Sequence, residues 1–167
     1  NNTAIGFETL DANTTGDNNI AIGRNCLGSN TTGATNTAIG SNALAANTTA
    51  DANTAVGRSS MLSNSTGTSN VAVGFESLKT NTTANNNTAI GAYSLQVNTT
   101  GSENTAVGQS ALQGNTTGAN NIAVGKNTML ANTTGTRNIA IGNTAYDASD
   151  TESDNIAIGY AAMTTNT

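Results

Sequence analysis

Residues 36–52, NTAIGSNALAANTTADA, are one copy of a seventeen-residue unit that recurs along the whole chain. The preceding copy, residues 19–35, reads NIAIGRNCLGSNTTGAT, and no residue is inserted or deleted between copies. Nine complete units occupy residues 2–154 and a partial tenth occupies residues 155–167. Because a disordered tract has no reason to keep such a register, we predict a single ordered repeat array over residues 1–167, and we expect it to be part of a longer fibre.

The columns formed by aligning the units indicate a coil that contains short strands. The first position is always Asn, the second is β-branched, the third is Ala, the fourth is Ile or Val, and the fifth is Gly. The eighth position is small, the ninth is Leu, Met or once Tyr146, and the twelfth is Asn except at Ser149. β-branched residues two apart are typical of a short strand, and Gly ends it. The small residue and Leu at the eighth and ninth positions suggest a second short strand or a corner, and Asn-Thr-Thr-Gly forms a turn. We therefore predict an all-β fold, a parallel β-solenoid (β-roll) of about ten 17-residue coils that stack about 4.8 Å apart.

Two apolar columns form the predicted core, and the stacked Asn columns are expected to form side-chain amide ladders. So thin a core predicts that stability comes from coil-to-coil interfaces and that a partner covers part of the rod. The predicted core residues of the fourth position are Ile5, Ile22, Ile39, Val56, Val73, Ile90, Val107, Val124, Ile141 and Ile158, and those of the ninth are Leu10, Leu27, Leu44, Leu78, Leu95 and Leu112.

The strand motif, in the forms NTAIG, NIAIG, NVAVG and NTAVG, resembles the repeated motif in the head domains of trimeric autotransporter adhesins. The longer unit, with NTTG between successive NTAIG motifs, is similar to repeats in the tail-fibre proteins of bacteriophages. The resemblance implies a left-handed β-roll in a homotrimer, and a shaft or head segment of a fibre on a cell surface or virion. It also implies an extracellular location and contact with a host receptor or glycan.

Other interpretations remain open at this point. The segment Ile39-Gly40-Ser41-Asn42-Ala43 resembles the hexapeptide of left-handed β-helix acyltransferases, but it occurs once per unit where that fold needs it about three times per coil. A single-chain, self-assembling solenoid filament is a second alternative. A third is an ice-binding solenoid, in which the stacked threonines Thr14, Thr31, Thr48 and their successors would order water.

Composition argues against most other classes of function. Charged residues are 9% of the chain and the net charge is −5, so we expect no nucleic-acid partner. No apolar run approaches the length of a membrane span, and we expect no membrane insertion. The chain has no histidine and no phosphate-binding loop, and no serine or threonine has a plausible base nearby. We therefore expect no enzymatic activity, no catalytic residues and no cofactor.

A few residues are candidates for binding or modification. Four carboxylates in the ninth unit, Asp147, Asp150, Glu152 and Asp154, form a candidate calcium site. The variable sixth position supplies candidate receptor contacts, namely Phe7, Arg24, Arg58, Phe75 and Lys126. Cys26 stands in the small eighth column and is interpreted as a packed small residue. Candidate N-glycosylation sites are the sequon residues Asn13, Asn30, Asn47, Asn64, Asn81, Asn98, Asn115 and Asn132.

Overall fold

A computed structural model describes residues 1–148 and 150–164 and shows a parallel β-solenoid, as the repeat predicts. Each coil contributes one three-residue strand, and the described residues contain no helix, hence none that could cross a membrane. The strands pair in chain order in a single ten-stranded sheet, in the register that aligns Ala38 with Ala55. The strands are β1 Thr3–Ile5, β2 Ile20–Ile22, β3 Thr37–Ile39, β4 Thr54–Val56, β5 Val71–Val73, β6 Thr88–Ile90, β7 Thr105–Val107, β8 Ile122–Val124, β9 Ile139–Ile141 and β10 Ile156–Ile158.

The remainder of each coil is a succession of turns rather than a second strand. Residues at the seventh, ninth and seventeenth positions have left-handed backbone conformations, as in Asn42 (φ 60°), Leu44 (φ 51°) and Ala52 (φ 59°). This conformation is unfavourable for a leucine by roughly 1–2 kcal/mol. Here it points the N–H groups of the seventh and ninth positions to opposite neighbours. Asn42 donates to Arg24 O of the preceding coil, and Leu44 donates to Ser60 O of the next. The stacking of coils therefore maintains backbone geometry that a single coil would not keep.

The core of the rod lies between the third-position alanines and the ninth-position residues. Ala38 and Ala89 are completely buried, whereas Ile39 and Ile90, at the fourth position, are 38% and 41% exposed. The expectation that the fourth-position Ile/Val column forms the core is therefore wrong. Its residues are exposed, as are Ile5 at 59% and Ile158 at 67%, or only half-buried. Alternate residues of a strand point to opposite faces, so turning Ala inward turns its two β-branched neighbours outward. The structure buries Leu27, Leu44, Leu78, Leu95 and Leu112 completely, and Leu10 packs partly buried against them.

The predicted amide ladders are present, and two of them run through the interior. In one coil the Nδ2 atoms of Asn19 and Asn30, at the first and twelfth positions, both donate to Gly33 O, at 2.8 and 2.9 Å. Each amide also bonds to its counterpart in a neighbouring coil: Asn36 Nδ2 donates to Asn19 Oδ1 (3.2 Å), and Asn47 Nδ2 to Asn30 Oδ1 (2.8 Å). Because buried amides are costly unless they are satisfied, this pattern selects Asn at both positions.

Candidate functional site

The described residues enclose no pocket, so a functional site of this rod would lie on its outer surface. The most distinctive surface is the outward side of the sheet, made of the second- and fourth-position residues of β1–β10, which we call the strand face. It contains only Thr, Ile and Val and carries no charge. Eight of the twelve large hydrophobic residues that the structure exposes belong to it: Ile5, Ile20, Ile39, Ile90, Ile122, Ile141, Ile156 and Ile158.

The strand face is both regular and long. Its ten strands are in register, so like side chains stand above one another at about 4.8 Å, and the face extends roughly 43 Å along the rod. A continuous apolar strip of this kind is unusual on a soluble monomer and typically marks an interaction surface. Its chemistry suits a partner that is equally apolar and periodic.

Threonines of the thirteenth and fourteenth positions form a second regular surface. The hydroxyls of Thr14, Thr31 and Thr48, which the sequence suggested as a water-ordering array, donate instead to the carbonyl of the same position in the next coil, at 2.9, 3.0 and 3.3 Å. These hydroxyls are therefore engaged within the rod. The threonines beside them, at the fourteenth position, are all exposed.

The sixth-position candidates do not form one site. The Arg58 guanidinium lies over the Phe75 ring, 5.4 Å from its centroid, and Phe75 meets Tyr93 edge to face at 5.3 Å. Phe7, Arg24 and Lys126 stand in other coils of the same column. The sequence did not predict the contact with Tyr93, because Tyr93 occupies the seventh position of the next coil and a comparison within one column cannot detect a contact between two columns.

A polar network flanks the Arg58–Phe75–Tyr93 cluster. Lys79 forms an ion pair with Glu76 at 3.0 Å, and Gln96 Nε2 donates to the same carboxylate at 2.7 Å. Gln113 then donates to Gln96 Oε1 at 2.8 Å. These groups satisfy one another across successive coils, so the network ties neighbouring turns together.

The candidate calcium site is not supported. Among the described residues, no three acidic, cysteine or histidine side chains come together as metal ligands. The four carboxylates occupy separate positions of the coil, and both oxygens of Asp154 accept hydrogen bonds from Arg137, at 2.6 and 2.7 Å. These hydrogen bonds lower the pKa of Asp154 and raise the pKa of Arg137. Ser149, which replaces the twelfth-position Asn in this coil, lies outside the described residues.

The candidate glycosylation sites are contradicted by their burial. Asn30, Asn47, Asn64, Asn81, Asn98, Asn115 and Asn132 are completely buried. Asn13, at the start of the array, is partly buried, and its amide donates to Gly16 O at 2.9 Å. A glycan on the Nδ2 atom of any fully buried member would displace the amide ladder, so the sequons reflect the ladder and the turn rather than modification of the folded rod.

Cys26 is expected to react slowly in the folded rod. Its buried thiol lies 3.1 Å from Ala38 O, and burial raises its pKa from the ordinary 9.0 to about 11. We expect iodoacetamide at pH 8 to label the thiol at least tenfold faster in urea than in buffer, because the thiolate is the reactive form. Since the folded-state pKa is the higher one, this thiol contributes stability that is present below about pH 9 and is lost as the pH rises toward 11. Equal labelling rates in buffer and in urea, followed by mass spectrometry, would contradict this burial.

Comparison with protein-family models, with curated proteins and with solved structures gives no match for this chain.

Proposed function

We propose that this chain is a structural shaft or head segment of an extracellular or virion surface fibre, in which three copies pack side by side through the strand face. The observation that carries the proposal is the uncharged apolar strand face, which extends along all ten coils of an otherwise polar rod.

Self-association follows from the energetics of this surface. The rod keeps mainly small residues and one larger apolar residue per coil inside, so much of its β-branched apolar area remains in contact with water. Removing apolar area from water is favourable by roughly 25 cal/mol per Å². A second copy has the same periodicity, so every coil of one rod can meet a coil of the other. A closed cyclic arrangement covers the face of each copy without open ends, and the strand motif resembles that of trimeric heads.

Stiffness is the second support for a fibre role. Hydrogen bonds join neighbouring coils along the strand, through both Asn ladders and through the threonine hydroxyls of the thirteenth position. Bending the rod would have to lengthen several of these bonds together. Such a structure is suited to holding a binding tip at a fixed distance from a surface. The Arg58–Phe75–Tyr93 cluster lies outside the strand face, where it could contact a host receptor or glycan in the assembled fibre.

The proposal predicts the mass of the folded protein in solution. Light scattering is expected to give the mass of three chains, and replacing Ile90 and Val107 together by Lys is expected to give one folded chain. Both residues are on the strand face and partly exposed, so lysines there can reach water in the monomer but bring like charges together in the trimer.

The control places the same two charges in the same two coils. Ala92→Lys with Gln109→Lys changes the sixth position, outside the strand face, and should leave the mass at three chains. A wild-type protein that stays a single chain at all concentrations would overturn the trimer and favour a lone solenoid rod. Circular dichroism establishes that each variant is folded.

A further inference from the structure

One exposed column of the rod does not vary. The fourteenth position is threonine in all nine complete coils, and every one of these side chains is exposed. The other exposed columns have diverged: the sixth position, for example, holds Phe, Arg, Ser, Ala, Gln, Lys, Asn and Tyr. The fourteenth-position residues are Thr15, Thr32, Thr49, Thr66, Thr83, Thr100, Thr117, Thr134 and Thr151.

The fold itself does not account for this threonine. None of the nine hydroxyls makes a hydrogen bond to the described part of the chain. The thirteenth-position hydroxyl does bond to the next coil, yet that position accepts Ser65 and Asp150 in place of Thr. A need for β-branching alone would admit Val, and a need for a hydroxyl alone would admit Ser. Threonine supplies both a methyl group and a hydroxyl at this position in every complete coil, although the hydroxyl makes no hydrogen bond within the described rod. This combination points to a partner outside the rod.

The partner has to be periodic and uncharged. A small soluble ligand would contact one or two coils, whereas the threonine is kept in nine. A charged polymer or mineral would favour Lys or carboxylates, but in the first eight coils the thirteenth to fifteenth positions contain only Thr, Ser, Gly and Ala. The fifteenth position is small and buried there, so it places no large side chain beside the column.

We propose that the fourteenth-position threonines form an ice-binding face. Each hydroxyl is free to join the hydrogen-bonded lattice of water, and each methyl group can occupy a gap in that lattice. The coil spacing of about 4.8 Å holds the array rigidly, so little side-chain and backbone freedom is lost on binding. This function is additional to the proposed fibre role and does not depend on it, because the column is separate from the strand face.

Thermal hysteresis of the purified protein tests the proposal. We expect the wild-type chain to lower the freezing point below the melting point and to shape ice crystals. Replacing Thr100 and Thr117 by Val keeps shape and removes two central hydroxyls, and should reduce thermal hysteresis by about twofold or more. The matched control, Thr88→Val with Thr105→Val, makes the same change in the same coils on the strand face and should leave it unchanged.

Several outcomes would overturn this assignment. Wild-type protein that freezes like an inert protein control has no ice-binding face, and retention on insoluble cellulose or chitin would then indicate a polysaccharide lattice instead. An equal loss of thermal hysteresis in the control pair would show that the threonines of the strand face contribute to ice binding as much as the fourteenth-position column does. Unfolding curves of both pairs show whether either loss is a folding defect, and the solution mass reports separately on the fibre proposal.

Discussion

Replacing Asn87 by Asp is expected to destabilise the rod by about 3–5 kcal/mol. Asn87 is completely buried, and its Nδ2 donates to Asn70 Oδ1 and Gly101 O, at 3.3 and 3.0 Å. Its Oδ1 accepts from the backbone N–H and the Nδ2 of Asn104, at 3.0 and 3.2 Å. An aspartate would turn the donating side of this amide into a second acceptor facing two oxygens, and would bring an unpaired charge into the interior.

The neighbouring residue supplies the control for this substitution. Asn86 is exposed and has a left-handed backbone conformation (φ 58°), which Asp also tolerates. Asn86→Asp therefore adds the same charge outside the ladder and should change stability by less than about 0.5 kcal/mol. Urea unfolding followed by circular dichroism, at one protein concentration for all variants, measures both effects. Equal midpoints for the two variants would show that the ladder contributes little to stability.

The sequence was sufficient to predict the fold but not the direction in which its strands face. A strict repeat with invariant Asn, Ala and Gly allows only coils that stack identical residues, and the ten-stranded parallel sheet follows from that stacking. A three-residue strand has two orientations, and hydrophobicity alone favours Ile39 inside over Ala38. The structure takes the other orientation because Leu44 already fills the interior from the opposite side, where little more than a methyl group fits beside it. That competition for volume cannot be seen in a single column.

The candidate surfaces were predictable only in part, for a related reason. The thirteenth and fourteenth positions both read as threonine columns, and only the hydrogen bond from Thr31 to Thr48 O distinguishes the engaged column from the free one. Contacts such as that between Phe75 and Tyr93 join different positions of successive coils, so they depend on the path of the turn. The carboxylates Asp150 and Asp154 are close in sequence, yet they do not form a metal-ligand cluster, and Asp154 forms an ion pair with Arg137 of the preceding coil instead.

Replacing Gly91 by Ala is expected to destabilise the rod by about 3–5 kcal/mol. Gly91 directly follows β6 and has φ +130°, a backbone conformation that L side chains rarely adopt. A Cβ atom there would lie 2.5 Å from Gly108 O and 2.6 Å from Gly108 C in the next coil. Because the close atoms are backbone atoms of a neighbouring strand end, they can move only if the two coils separate, which would weaken the bonds that stack them.

Gly101→Ala is the control that separates the effect of backbone conformation on stability from the effect of crowding. A Cβ atom on Gly101 would also come very close to a carbonyl of the next coil, Gly118 O, but its φ lies outside the left-handed range. The same position already holds Ala50 and Ala84 in other coils, so the array accommodates this methyl group. We therefore expect Gly101→Ala to change stability by less than about 1 kcal/mol in the same urea experiment. If both alanines were equally harmful, close approach between coils would be the reason for glycine at both positions; if only Gly91→Ala is harmful, the reason is the backbone conformation that turns the chain out of its strand.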